Sequence, residues 1–321
     1  MRARALNRPD PADDGVHVRG ADLARLRVEA RRLRLAAQHD TGATAGARRT
    51  RLRGRGVDFQ ESRNYLPGDD ISSIDWRVTA RTGHPHTKVY TEERERPLTL
   101  VLDAGPSLFF ATRGAFKSVV VARLAALLGW LAVLRQDRVG ALLFAGERRR
   151  WLPPRAGGGA MRRLIPLLVD WLDLAAAPAS RRPLGGLAPA LAQIQERQHS
   201  GGRVVVVSDF QPPDSGPSAE LTVEPGLIRL HRANQLWLCR ILDPLECHPP
   251  PPGCYPVTDG REQRLLDLHG DACRRQWLAL QARQRQPLEA SVRCHGLNAL
   301  TLMTDDELPA LLQRSGGLWR P

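Results

Sequence analysis

The stretch Leu98-Thr99-Leu100-Val101-Leu102-Asp103-Ala104-Gly105-Pro106-Ser107 decides the fold. A nearly unbroken apolar run that stops on a carboxylate and opens into Gly-Pro reads as a buried strand of a parallel sheet. In open α/β sheets the C-terminal tips of such strands line the ligand crevice, so Asp103 is a candidate site residue from the outset.

Outward from that strand, the pattern alternates. Ala115–Arg135 reads as a long helix, Arg138–Phe144 as a strand, and Arg149–Pro153 as a short edge strand halted by Pro153-Pro154. Helices follow at Met161–Leu174 and Leu187–His199, then the strand Arg203–Val207, which runs into Ser208-Asp209-Phe210. Gln235–Leu242 and Ala299–Met303 add two strands, with helices at Asp267–Arg285 and Asp305–Arg314. Apolar strands separated by helices predict an α/β fold, a mostly parallel sheet covered on both faces. Upstream, Leu23, Leu26, Ala30, Leu33 and Ala37 recur at helical spacing with arginines off the stripe, which predicts a helix over about 20–39.

Composition bounds the function. The 321 residues are 42% hydrophobic and carry a net charge of +13, enough apolar material for a real core. Of 47 basic residues only Lys88 and Lys117 are lysines, and fourteen arginines against seven acids fall in the first sixty residues. A basic arm on a nearly balanced body makes nucleic-acid binding the alternative reading, although aromatic residues at 5% offer few stacking platforms. Five widely spaced cysteines without a Cys-x-x-Cys point to a reducing compartment. The longest apolar run, Val119–Leu134, is broken by Arg123 and falls short of the roughly 20 residues a membrane span needs, so a soluble cytoplasmic chain is expected. No Gly-x-x-x-x-Gly-Lys loop or Gly-x-Ser-x-Gly elbow appears, and a divalent-metal hydrolase lacks a placed base or nucleophile.

A second dense segment precedes the sheet. It contains Gly54-Arg-Gly-x-Asp-Phe59, Arg63-x-Tyr65-x-Pro67-Gly68-Asp69-Asp70, Ile74-Asp75-Trp76, Ala80-Arg81 and Glu92-Glu93. Pro67-Gly68 is a turn pair, and Arg63, Arg77 and Arg81 are available to bridge Asp70, Asp75 or Glu93. Trp76 and Tyr65 are expected to be buried, which makes the segment a flap stapled to the domain. Exposed Arg and Asp side chains would instead form a docking surface.

With Ser208-Asp209-Phe210, Asp243-Pro244-x-Glu246 and Thr304-Asp305, these motifs resemble the bacterial domain-of-unknown-function family fifty-eight, from about Gly54 to the C-terminus. The resemblance implies a Rossmann-like von Willebrand factor A-type domain over 98–321; ahead of it the sequence divides into a basic arm with linker over 1–53 and the flap over 54–97. It also implies a non-enzymatic adaptor for a MoxR-type AAA+ ATPase. Domains of that type hold Mg²⁺ through Asp-x-Ser-x-Ser, a second-loop Thr and a third-loop Asp. Here Asp103, Ser107 and Asp209 remain, but Gly105 and Gly185 stand where hydroxyls would be, so the adhesion site is degenerate and Mg²⁺ binding is expected to be weak or absent.

Overall fold

The computed structural model describes residues 14–41, 57–66, 71–92, 96–176, 186–198, 200–211, 225–258 and 263–315. It divides into two compact units, residues 42–95 and the remainder.

The larger unit is built on six strands. Five are parallel: β3 (Leu98–Asp103), β4 (Val139–Ala145), β6 (Arg203–Ser208), β7 (Gln235–Leu242) and β10 (Asn298–Met303). The sixth, β5 (Arg148–Arg155), returns antiparallel from β4 and closes one edge, giving the order β10-β7-β6-β3-β4-β5. Its two prolines fit because an edge strand can forgo a ladder donor.

Alternation along the strands feeds two cores. Leu98, Leu100 and Leu102 of β3, with Val205 and Val207 of β6, face α1 (Gly20–Thr41), α3 (Lys117–Leu134), α4 (Gly158–Leu172) and α9 (Leu308–Ser315). Val101, Val204 and Val206 face α5 (Leu187–Arg197), α6 (Pro225–Ala233) and α8 (Asp271–His295). The expected α/β sheet, mostly parallel and covered by helices on both faces, is therefore observed. By length and composition α3 could cross a membrane, but 83% of it is buried inside the larger unit. It is apolar on every side because protein surrounds every side.

The N-terminal helix is a layer of this unit. Leu23, Ala30 and Leu33 of α1 are buried in the same core as α3, and the Trp130 indole donates to the Leu23 carbonyl at 3.0 Å. Its apolar stripe has a partner, so the helix is not an arm lying outside the sheet domain. Two short features of the chain carry less sequence signal: the hairpin β8 (Cys254–Thr258) and β9 (Gln263–Asp267), and the single-turn helix α7 (Pro244–Cys247). α8 also runs ten residues beyond its expected end, through Pro287.

The smaller unit holds β1 (Val57–Asn64) and β2 (His86–Glu92), an antiparallel pair, and α2 (Trp76–Thr82). Asp75 caps α2, accepting from the backbone N–H groups of Arg77 and Val78 and from the Ser62 hydroxyl at 2.9 Å. Gly83 ends the helix in the left-handed region, at φ 75°.

Candidate functional site

The order of the strands puts a switch point between β3 and β6, because the chain leaves β3 toward β4 and later returns on its other side. Side chains from the C-terminal ends of four parallel strands meet there. Asp103 ends β3, and its Oδ2 accepts from the Ser208 hydroxyl of β6 at 2.6 Å while its Oδ1 accepts from the Gly105 N–H at 2.8 Å. Phe210, in the left-handed region at φ 53°, donates its N–H to Ser208 at 3.0 Å. A bulky residue held there marks a backbone fixed by its surroundings.

Lys117, the first residue of α3, reaches into this group and is 1% exposed. Its ammonium donates to Glu246 at 2.6 Å and lies 3.6 Å from Asp209 Oδ2. Glu246 also accepts from the Gln211 amide at 2.6 Å and, through its other oxygen, from the Asp243 N–H at 2.7 Å. Asp243, fully buried after β7, accepts from the Thr112 N–H at 2.7 Å, the Thr112 hydroxyl at 2.5 Å, the Leu245 N–H at 2.9 Å and the Thr304 hydroxyl at 3.1 Å. Gly114 lets the loop after β3 lie against the end of β10, since a Cβ there would meet the Thr304 carbonyl oxygen at 2.2 Å.

Electrostatics follow from burial and from these partners. Desolvation, then the neighbouring Asp209 charge, pushes the Asp103 carboxyl up to about 7. Lys117 is held above the ordinary lysine range: burial opposes its charge, but Asp209 and Glu246 outweigh it. Burial likewise opposes the charge of Asp243, yet the Thr112, Leu245 and Thr304 donors hold its carboxyl below the usual range.

The structure brings Asp103 and Asp209 together, as the sequence predicts. Ser107 is exposed on the following loop and takes part in none of these described bonds. Gly185, Pro67, Gly68, Asp69 and Asp70 and the Arg63 side chain lie outside the described residues. In the smaller unit Asp75 is buried as a helix cap, Tyr65 is half-buried and Arg81 is exposed. Trp76 is 68% exposed, so its expected burial is overturned: α2 has no buried residue and presents no apolar face for an indole to join.

Sequence reasoning missed Lys117 and Thr112. Lys117 carried a signal, as one of two lysines in an arginine-rich chain, placed at the head of its most apolar helix. Beside the cluster a shallow open cleft is lined by Gln211, Arg240, Gln281, Gln284 and Arg285 together with Asp209 and Glu246. At the exposed β8–β9 hairpin Cys254, Asp267 and His269 gather, and His269 bonds Asp267 at 2.9 Å.

A family described as protein of unknown function DUF58 matches residues 61–287, a span that holds Asp75, Asp103, Lys117, Asp209, Asp243 and Glu246. The chain belongs to this family. This DUF58 chain is 29% identical over 253 residues to the uncharacterized protein Rv1480 of Mycobacterium tuberculosis (strain ATCC 25618 / H37Rv), covering 78% of the chain and 76% of the relative. The same figures hold for the uncharacterized protein Mb1516 of Mycobacterium bovis. Among solved structures, BatB from Bacteroides thetaiotaomicron is 12% identical with a TM-score of 0.38, over 68% of the DUF58 chain and 95% of BatB. An aerotolerance-related membrane protein from Bacteroides fragilis is 11% identical with a TM-score of 0.39, over 69% and 98%. At these scores the likeness is loose.

Proposed function

We propose that this chain is a non-enzymatic protein-interaction adaptor with an A-type domain at its centre, and that its partner is a MoxR-type AAA+ ATPase in the cytoplasm. Trp76 carries the reading. An indole that is 68% exposed, on a short helix fixed by the buried cap Asp75, is the kind of rigid aromatic anchor that dominates protein interfaces. Ile71 at 67% and Leu66 at 56% exposure belong to the same unit.

The strand-tip acids support recognition over hydrolysis. Asp103, Asp243 and Glu246 each accept hydrogen bonds inside the protein, and Asp209 faces Lys117, so none is poised as a base toward solvent. Several arginines of α1 are also engaged: Arg34 donates to the Leu134 carbonyl, and Arg32 pairs with Glu29. Side chains used in this way favour the adaptor reading over a nucleic-acid one.

The test is capture of a purified MoxR-type ATPase by the full chain, compared with Trp76→Ala. The reading expects wild type to bind and the variant to lose roughly tenfold or more in affinity, as truncating an interface anchor does. Equal binding by the two chains refutes the anchor, and no binding by either refutes the partner.

A further inference from the structure

The β8–β9 hairpin carries its chemistry on one face. Cys254 and Asp267 lie directly opposite each other in its register, and His269 follows Asp267 by two residues, so strand alternation points all three the same way. Leu268, between the last two, points the other way and is 1% exposed; its N–H donates to the Gly253 carbonyl at 2.9 Å and carries the ladder one step past the strands. A thiol, a carboxylate and an imidazole thus gather at the surface with their ligand atoms within 4.8 Å of one another. Cys254 Sγ is 3.7 Å from His269 Nδ1, and that nitrogen is 2.9 Å from Asp267 Oδ1. Tetrahedral zinc, with bonds of about 2.0 to 2.3 Å, sets such atoms roughly 3.3 to 3.6 Å apart, so a small side-chain shift seats the ion. The surroundings are braced: Arg274 of α8 donates to the Pro250 carbonyl at 2.9 Å, and the Tyr255 hydroxyl to the Pro251 carbonyl at 2.6 Å.

We propose that Cys254, Asp267 and His269 bind one Zn²⁺ ion, with water at the fourth position, and that the ion fastens the β8–β9 hairpin to the head of α8. A thiolate and an imidazole select a borderline-soft ion over Mg²⁺ or Ca²⁺, and all three side chains are donors that zinc accepts. Cys254 comes from β8, Asp267 from the end of β9 and His269 from the link into α8, so a single ion crosses the hairpin and holds the entry to the helix. Cys273, exposed on the first turn of α8, stands outside the three mutually close donors and supplies no ligand. A two-stranded hairpin is marginal without further support, so the free energy of binding the ion appears as local stability there.

The experiment titrates the full chain, reduced and stripped with chelator, with Co²⁺ as a coloured stand-in and then with Zn²⁺, beside Cys254→Ser, His269→Ala, Cys273→Ser and Cys294→Ser. Wild type is expected to take one Co²⁺ with a thiolate-to-metal charge-transfer band and the visible intensity of a four-coordinate ion, and to release it to one equivalent of Zn²⁺. Cys254→Ser should remove the band, and both it and His269→Ala should weaken binding at least roughly a hundredfold. Cys273→Ser and Cys294→Ser should bind as wild type does. Because all these side chains are exposed, the variants leave the core intact. Zn²⁺ should also slow hydrogen exchange at the β8 and β9 amides of wild type and not of Cys254→Ser. A featureless Co²⁺ spectrum overturns the zinc site, as does a band that survives Cys254→Ser, tight binding by His269→Ala, or loss of binding in Cys273→Ser. Exchange at the hairpin that Zn²⁺ leaves unchanged overturns the fastening.

Discussion

The strand-tip cluster and the β1–α2–β2 unit use the same residue types to opposite ends. At the strand tips the aspartates and glutamate turn inward, with Asp243 fully buried and four donors on one carboxylate. In the smaller unit one aspartate, Asp75, is spent on a helix cap, and the aromatic beside it is left in solvent. Adjacent motif residues can therefore divide the work, the acid holding the backbone and its neighbour facing outward. A motif rich in Asp and Trp says nothing about which part is surface until the layer behind it is known.

The sharpest way to break this contrast is Asp243→Ala. It strands the Thr112 and Thr304 hydroxyls and two backbone N–H groups, and a loss of roughly 3 to 5 kcal/mol in chemical denaturation is expected, the scale of removing one member of a buried charged set. A loss below about 1 kcal/mol would return the cluster to the solvated edge that bare strand tips suggest.

A pH series tests the next part. Asp103 carries a raised carboxyl, about 7 against 3.8 in its ordinary state, so the folded chain keeps a proton that the unfolded chain releases. Its contribution is complete below about 3.8 and is lost as pH climbs toward about 7. The Tm of wild type relative to Asp103→Asn should therefore fall across that interval and level off above it. A relative Tm that rises with pH contradicts the burial and the Asp209 repulsion assigned to Asp103.

Smaller effects belong to the smaller unit. Asp75→Ala should cost about 1 kcal/mol through the lost cap, read by hydrogen exchange at the α2 amides. Trp76→Ala should change stability by less than about 0.5 kcal/mol, while the same variant loses the partner. A large loss of stability there would restore the stapled flap.

How much of this was legible varies with physical cause. β3 and β7 match their expected limits, Leu98–Asp103 and Gln235–Leu242, because apolar runs in a covered sheet end abruptly at polar turns. β8 and β9 carry no such run: Pro256 interrupts one, and Leu265 of the other is 69% exposed. α8 passes its expected end at Arg285 and runs on through Pro287: its tertiary setting overrides the local penalty of the proline, and Leu288 just beyond it is buried. Within the site, Asp103 and Asp209 were readable as strand-tip acids. Lys117 was marked only by its rarity among arginines, and that does not reveal its burial: a lysine at the start of an apolar helix looks like a solvated end unless the acids opposite are already in view.

The contact between Leu23 and Trp130 spans 107 residues, and it bears on how the chain is made. α1 leaves the ribosome ahead of α3, the helix that covers its apolar stripe, which is synthesised about a hundred residues later. At about 5 to 20 residues per second, α1 waits for seconds with Leu23, Ala30 and Leu33 uncovered. α3 in turn emerges apolar on every face before β6 and β7 exist to bury it. Synthesis thus passes through a window in which two complementary helices are each other's best cover, and a chain started downstream of α1 would pass through that window with α3 bare.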